Sequence, residues 1–432
     1  MTSITTLYQK FLTCTNGVTT DTRKITPQSL FFALKGANFD GNVFAQEALQ
    51  KGASFVVIDN PTYQIDDRCL LVADTLKALQ DLAKYHRQQQ SIPFIAITGT
   101  NGKTTTKELV RNVLAKKYKV WATEGNLNNH IGVPLTLLNM PKDTEIAVIE
   151  MGANKVGDIT ELVEIALPTH GLITNVGYAH LEGFGSFEGV FRTKTELYAH
   201  LLANKGTVIV NANDELLANA VTRRFPKEQS ILFGRADSFY QAIFVEASPY
   251  IIYKDEKNHI VQTQLLGAYN FPNILAALTV GKLFGVDSHL THEAIAAYAP
   301  TNNRSQVLQR PHYQIIMDAY NANPSSMRAA LENLHHIQTS YKIAILGDMF
   351  ELGTESITKH RELLDIAREL SIDQLLVCGK DFLQARKNND TALFFENKES
   401  LKNWLQTNPI QKGVVLLKGS RGMGLETLLE VL

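Results

Sequence analysis

The run Gly99-Thr100-Asn101-Gly102-Lys103-Thr104 places two glycines, a lysine and several hydroxyl and amide side chains in the order that cradles a phosphate. Backbone N–H groups of a tight glycine turn converge on an anion, and the positive end of the following helix adds to the attraction. Lys103 is then expected to reach the terminal phosphates, Thr104 to offer its hydroxyl to Mg²⁺, and Thr105 to complete the loop set. A strand must deliver such a loop and a helix must leave it. The apolar run 92–97 supplies the strand, and Leu109, Val110, Val113 and Leu114 recur at helical spacing beyond it. The usual pattern has a glycine five residues before Gly102, where this chain has Ile97, so the turn is a compressed one. Without a ligand the same residues make an ordinary strand-to-helix turn with an exposed lysine. The order of strand, turn, lysine, hydroxyl and helix favours the phosphate.

Glu150 ends the apolar run 146–149 and stands before Met151-Gly152, where its carboxylate can share an Mg²⁺ with Thr104. A solvated strand-end acid is the alternative. The glycine-rich segment 175–186 follows another strand and holds His180 beside Glu182; a lone histidine of this kind is more often structural. Lys194 lies in the helical stretch 191–198 and can sit on either face.

The elements around these residues alternate. Residues 1–88 read as a small α/β unit with strands at 30–34, 55–58 and 70–72. A helix N-capped by Asp74 closes it, with Leu76, Leu79, Leu82 and Tyr85 on its buried face. The polar stretch 87–91 before Pro93 reads as a linker. Strands at 94–97, 120–123, 146–150, 172–176 and 208–211 then alternate with helices, which favours a mainly parallel sheet across 89–299. Short alternating strands at 250–253 and 261–265 look like an antiparallel appendage. A third α/β block fills 300–432, with strands at 315–317, 343–346, 375–378 and 414–417. Asp318, Asp348, Lys418, Ser420 and Arg421 gather at their carboxyl ends, where open α/β sheets bind ligands. The expected fold is therefore α/β in three domains, each with its own core.

The 432 residues carry 42 basic and 43 acidic side chains, a balance with no long-range field for nucleic acid or an anionic membrane. Three widely spaced cysteines, Cys14, Cys69 and Cys378, suit neither a metal site nor a disulfide framework and fit a reducing cytoplasm. The first residues lack a signal-peptide pattern, and no apolar run is long enough to span a bilayer.

Taken in order, these motifs resemble the ATP-dependent Mur ligases of peptidoglycan synthesis over the whole length. The matches are 21–23, 30–36 with 39–41, the phosphate loop, 124–129 with 131–136, 150–153, 179–186, 270–273, Arg304, 318–324, 346–349 and 417–421. The compressed loop with Ile97 belongs to that family too. The resemblance implies a central ATP-binding P-loop domain and a C-terminal Rossmann-like domain. It implies two Mg²⁺ ions, one held by Thr104 and Glu150, the other by His180 and a carbamylated Lys194. Asn270 and Asn273 are implied to bind adenine, Arg304 the γ-phosphate and Asp318 the ribose; read from sequence alone, Asn270 is also a helix cap. Asp21, Thr22, Arg23 and Lys35 are implied to lie near a uridine diphosphate, next to the turn at Asp40 and Gly41. Asn42 stands where the family commonly has histidine, so that contact is not carried over. Asn126, Asn128 and Asn129 are implied to touch a muramyl substrate, and Asn321, Asn323, Asp348, Lys418, Ser420 and Arg421 to surround an incoming dipeptide.

The implied reaction is ATP-driven amide formation through an acyl phosphate, joining D-alanyl-D-alanine to a UDP-N-acetylmuramoyl-tripeptide, by a cytoplasmic monomer. The alternative within the family adds a diamino acid to the dipeptide precursor. A regulatory nucleotide switch is the rival from another class, but its guanine-reading Asn-Lys-x-Asp is absent: Asn204-Lys205-Gly206 runs into Thr207.

Overall fold

The computed structural model describes residues 1–301 and 303–432. Four strands, β1 (Val18–Thr19), β2 (Leu30–Phe32), β3 (Phe55–Ile58) and β4 (Cys69–Leu71), form a parallel sheet in the order β1-β2-β3-β4. Side chains alternate across it. Phe31, Val56 and Ile58 fill a small core of their own, whereas Leu30, Phe32 and Val57 face helix α1 (Thr75–Gln88). That helix begins as expected, with the Asp74 carboxylate accepting from the Lys77 N–H at 2.8 Å.

The central sheet is all parallel and contains β5 (Phe94–Thr98), β6 (Val120–Ala122), β7 (Ile146–Glu150), β8 (His170–Ile173), β9 (Thr207–Asn211) and β10 (Ser230–Phe233). Their spatial order is β10-β9-β8-β5-β7-β6. β5 is buried along its whole length because helices cover both faces. Phe94 and Ala96 point into one core, Ile95 and Ile97 into the other. Helix α2 (Lys103–Leu114) follows the glycine loop. Helices α3 (Gly132–Leu138), α4 (Asp158–Ala166) and α5 (Phe187–Ala203) cover the face shared with the N-terminal unit.

Three antiparallel strands, β11 (Ile243–Ala247), β12 (Tyr250–Lys254) and β13 (Ile260–Leu266), make the appendage, and helix α6 (Phe271–Leu283) returns to pack on α2. The C-terminal sheet contains β14 (Gln306–Gln309), β15 (Tyr313–Asp318), β16 (Lys342–Gly347), β17 (Gln374–Cys378), β18 (Leu393–Phe395) and β19 (Gly413–Lys418). Its order is β14-β15-β19-β16-β17-β18, antiparallel only at the β14 edge. Helix α7 (Pro324–His336) leaves β15 through the segment 319–323.

Two expectations change at the first boundary. The N-terminal unit does not bury a separate core on its α1 side. Leu79 and Leu82 of α1 join a cluster that runs from Leu7 and Leu30 to Leu135, Ile149 and Leu162. The stretch 87–91 is no free linker either. Arg87 is buried, its guanidinium stacks 3.8 Å from the centre of the Phe94 ring, and it donates to the carbonyls of Ala166 at 2.9 Å and Leu167 at 2.8 Å. Those carbonyls end α4 and lack helical partners, so Arg87 caps a helix of the central domain. Arg87→Ala should therefore destabilise the protein by about 2–3 kcal/mol. A urea titration monitored by far-UV circular dichroism checks this, with the exposed Arg223→Ala as a control that should not shift the midpoint.

Candidate active site

β5 runs straight into the glycine loop, and both glycines are required there. Gly99 has φ +143°, and a Cβ on it would meet the Thr174 hydroxyl at 2.0 Å; Gly102 has φ +80°, and a Cβ would meet the Asn273 side-chain oxygen at 2.7 Å. The Thr100 N–H donates to the Asn175 carbonyl at 2.9 Å and the Asn101 N–H to Asn175 Oδ1 at 3.0 Å. Lys103 folds back over the loop, donating to the carbonyls of Gly99 at 2.8 Å and Thr100 at 3.0 Å. Burial pushes its pKa down to about 8; the nearby Glu150 charge opposes the fall and Arg304 adds to it.

Next to the loop, Ile97 pairs in register with Glu150 on β7. The Glu150 carboxylate is 1% exposed and accepts from Thr104 Oγ1 at 2.8 Å and Asn128 Nδ2 at 2.8 Å. This carboxylate and hydroxyl are hard oxygen donors of the kind Mg²⁺ takes together with phosphate oxygens and water. Among the described residues, no group of three His, Cys, Asp or Glu side chains converges into an all-protein metal centre.

His180 sits with φ +50°, and its Nδ1 is engaged by the Glu351 carboxylate of the C-terminal domain, which leaves Nε2 for any other ligand. Burial lowers its pKa, against the Glu351 charge. Lys194 lies on the inner face of α5, 2% exposed. Its ammonium is 5.4 Å from the centre of the Phe184 ring, and burial, assisted by the Lys103 charge, lowers its pKa to about 7.

A cavity of about 1020 Å³ opens between the central and C-terminal domains. Thr100, Asn101, Gly102, Lys103, Thr105, Glu150 and His180 line one side, with Asn126, Asn128 and Asn129 beyond them and Asn270 and Asn273 beside the loop. Arg304, Asp318, Asn321, Asn323 and Lys418 face them from the C-terminal domain. Arg304 stacks 3.7 Å from the Tyr320 ring centre, and its buried Nε has no hydrogen-bond partner among the described residues. An orphaned guanidinium N–H, a folded-back lysine and a helix N-terminus around one space fit a polyphosphate. Ser420 and Arg421 line a smaller cavity of about 250 Å³ with His180, Asn321, Asn323 and Glu351.

Several residues are committed elsewhere. Asp348 was expected near the dipeptide, but its carboxylate is buried and accepts from the N–H groups of Asp381 and Phe382 at 3.1 Å each. It caps the helix Lys380–Ala385, and burial raises its pKa. A Cβ on Gly379 would lie 2.1 Å from this carboxylate, so the glycine makes the cap possible. Asn129 spends its oxygen on the N–H groups of Ile131 and Gly132 at the start of α3. Asn270 occupies the N-cap position of α6 without a side-chain cap bond. Its amide instead donates to the Leu266 carbonyl and accepts from Asn273 Nδ2 at 2.9 Å, so it belongs to a buried amide pair and the capping reading fails. Lys418 is buried against Asp318, 2.5 Å away, which ties the two strand ends together. Asp21, Thr22, Arg23 and Lys35 lie in the N-terminal unit, outside these cavities. Asp21 pairs with Arg23 at 2.8 Å, and Lys35 with Asp59 at 2.7 Å. Asn42 is fully buried and bridges Asp40 and Asp59.

Family models match three successive stretches of the chain: "Mur ligase family, catalytic domain" over residues 15–87, "Mur ligase middle domain" over 97–281, and "Mur ligase, glutamate ligase domain" over 303–421. The chain belongs to the Mur ligase family. A Bacillus subtilis UDP-N-acetylmuramoyl-tripeptide–D-alanyl-D-alanine ligase is 35% identical, covering 97% of this chain and 93% of its own. The Escherichia coli enzyme of the same name is 34% identical, with 96% and 93% covered. Among solved structures, MurF from Acinetobacter baumannii superposes with a TM-score of 0.86 at 31% identity, covering 98% of this chain and 97% of the other. MurF ligase from Thermotoga maritima in complex with ADP gives 0.84 at 29% identity, with the same coverage.

Within this Mur ligase fold, sequence reasoning missed Tyr320, Glu351, Ser325 and Lys107. Tyr320 carries Arg304 on its ring, and Arg421 also stacks on it at 4.9 Å. Lys107 is 1% exposed and donates to the Thr123 carbonyl at 2.6 Å. Its spacing one turn after Lys103 was the available signal. Because the Lys103 ammonium bonds only loop carbonyls among the described residues, Lys103→Ala should leave the melting temperature unchanged. It should lower nucleotide turnover by on the order of 10²–10³-fold, measured by phosphate release.

Proposed function

We propose that this chain uses ATP to join D-alanyl-D-alanine to UDP-N-acetylmuramoyl-tripeptide through an amide bond, releasing ADP and phosphate. The observation that carries the reading is the cavity in which the glycine loop, Lys103 and Glu150, whose carboxylate accepts from Thr104, face Arg304 and Asp318 of another domain. The ADP complex of the Thermotoga maritima relative supports nucleotide binding by this fold.

In this reading the chain divides into a UDP-sugar domain at 1–88, an ATP domain at 89–299 and a C-terminal ligase domain at 300–432. Asp21, Thr22, Arg23 and Lys35 hold the nucleotide sugar, and Asn126 and Asn128 approach the muramyl peptide. Asn270 and Asn273 read adenine, Asp318 takes the ribose, and Lys103, Arg304 and the loop amides hold the phosphates. The tripeptide carboxylate attacks the γ-phosphorus, ADP leaves, and the dipeptide amine displaces phosphate from the acyl phosphate. Asn321, Ser420 and Arg421 bound the dipeptide. The surrounding walls keep water from the activated acyl group.

Bound magnesium would screen the negative charges that meet in the first step. Thr104 and Glu150 fit one ion directly. A second, at His180 and Lys194, fits only if Lys194 carries a carbamate, since an ammonium repels a cation. The Lys194 amine is buried beside an aromatic ring without a carboxylate partner among the described residues, an environment that favours its neutral, CO₂-reactive form. The proposal locates a monomeric enzyme in the cytoplasm, a reducing compartment that suits its three free cysteines.

The test is direct. Purified protein given UDP-N-acetylmuramoyl-tripeptide, D-alanyl-D-alanine, ATP and magnesium should yield ADP and the pentapeptide by mass spectrometry, with each omission abolishing both. Product only with the dipeptide precursor and a diamino acid would move the assignment to that branch of the family. Lys194→Ala should be inactive and partly rescued by a small added carboxylate; no rescue, with magnesium affinity unchanged, counts against the carbamate.

A further inference from the structure

One side chain of the phosphate loop faces away from the nucleotide pocket's own domain. Asn101 Nδ2 donates to Ser325 Oγ at 2.9 Å, Ser325 Oγ donates to Asn323 Oδ1 at 2.8 Å, and Asn323 Nδ2 donates back to Asn101 Oδ1 at 2.8 Å. The three side chains close a ring across the domain boundary. Each amide uses both a donor and an acceptor in it, and the serine hydroxyl does the same. We propose that this ring docks the C-terminal domain on the phosphate loop, and that Ser325 and Asn323 are positioning residues for the ligase reaction.

The geometry explains what is positioned. Asn323 caps α7, accepting from the Ser326 N–H at 2.9 Å in a reciprocal capping box, so fixing its side chain fixes the first turn of the helix. The segment between Asp318 and Asn323 is short, and it carries Tyr320, on which Arg304 lies. Seating α7 on Asn101 thus sets the distance between Lys103 on one side of the cavity and Arg304 and Asp318 on the other. Gly177 lines the junction: a Cβ there would stand 3.3 Å from Ser325 Oγ and 3.6 Å from a Thr100 methyl. The loop after β8 is therefore packed between the phosphate loop and α7. Asn323, expected at the dipeptide, has its oxygen and one N–H spent on this junction.

The inference rests on the ligase reading, and a double-mutant cycle tests it. Ser325→Ala removes the hydroxyl and leaves the Asn323–Ser326 capping box intact; Asn101→Ala removes the facing amide. Each should lower kcat about tenfold, the scale of one net hydrogen bond, with KM for ATP within about twofold and the melting temperature unchanged. The double variant should be no more than about twofold worse than the poorer single, because either change already opens the ring. Losses that multiply, or a Ser325→Ala kcat within about twofold of the parent, overturn the proposal. So does an Asn101→Ala effect confined to KM for ATP, which would assign that amide to the nucleotide. If the parent itself makes no product, the ligase reading fails and the ring is judged by small-angle scattering with ADP present. A larger radius of gyration for Ser325→Ala than for the parent supports the ring, and equal radii overturn it.

Discussion

The hydrogen bond from Thr104 to Glu150 depends on strand order, and the rest of the site depends on that bond. β5, β7 and β8 are neighbours and run parallel, so the loop after β5, the acid ending β7 and the segment after β8 emerge at one edge. Register matters as much as order. Ile97 faces Glu150 across the ladder, the Met151 N–H donates to the Ile97 carbonyl, and Thr98 Oγ1 donates to the Met151 carbonyl at 2.7 Å. A slip of one residue would turn Glu150 to the opposite face of the sheet and leave Thr104 facing an apolar side chain. The two buried cores on either face of β5 forbid that slip.

Buried and half-buried cations differ in what faces them. Lys418 meets Asp318, Arg361 meets Asp365 and Asp390, and Lys107 meets Glu108. Removing water from these costs several kcal/mol per ion, and each carboxylate offsets much of it. Lys103 and Arg304, which line the cavity, and Lys194 on the inner face of α5 have no such carboxylate among the described residues. Lys103 leans on loop carbonyls, and Arg304 and Lys194 lean on aromatic rings. Arg87 is also held by carbonyls and a ring, but its carbonyls are the free end of a helix, whereas Lys103 and Arg304 open onto the cavity. They fit a site whose anionic partners are supplied by substrates.

How much could be read in advance follows from the same distinction. Apolar runs ended by polar residues mark buried parallel strands, so five of the six central strands and the loop after β5 were legible to within a few residues, whereas the half-buried edge strand β10 was not. The direction of a strand-end side chain was not. Glu150 and Asp348 look alike in sequence, each an acid after an apolar run, yet one faces the cavity and the other crosses to cap a neighbouring helix through the space that Gly379 leaves. Likewise Arg87 reads as part of a polar linker, because sequence shows its charge and not the helix end that receives it. Asn270 carries a cap signature, but its amide found a stronger set of partners in Leu266 and Asn273. Local pattern settles which elements form; contacts between distant elements settle what their polar ends do.

The two domain boundaries differ in kind. The N-terminal unit and the central domain share one apolar core and are pinned by Arg87, so separating them exposes hydrocarbon and strands helix carbonyls. The C-terminal domain meets the central one mainly through polar contacts. These include the Asn101 ring, the His180–Glu351 pair and a Tyr269–Ser305 hydrogen bond at 3.0 Å, with Leu266 and Tyr250 of the appendage as apolar support. Polar contacts exchange for water at small net cost, whereas an apolar core does not. The joint able to open is therefore the one that bisects the cavity, and it separates the loop that binds phosphate from the arginine that faces it.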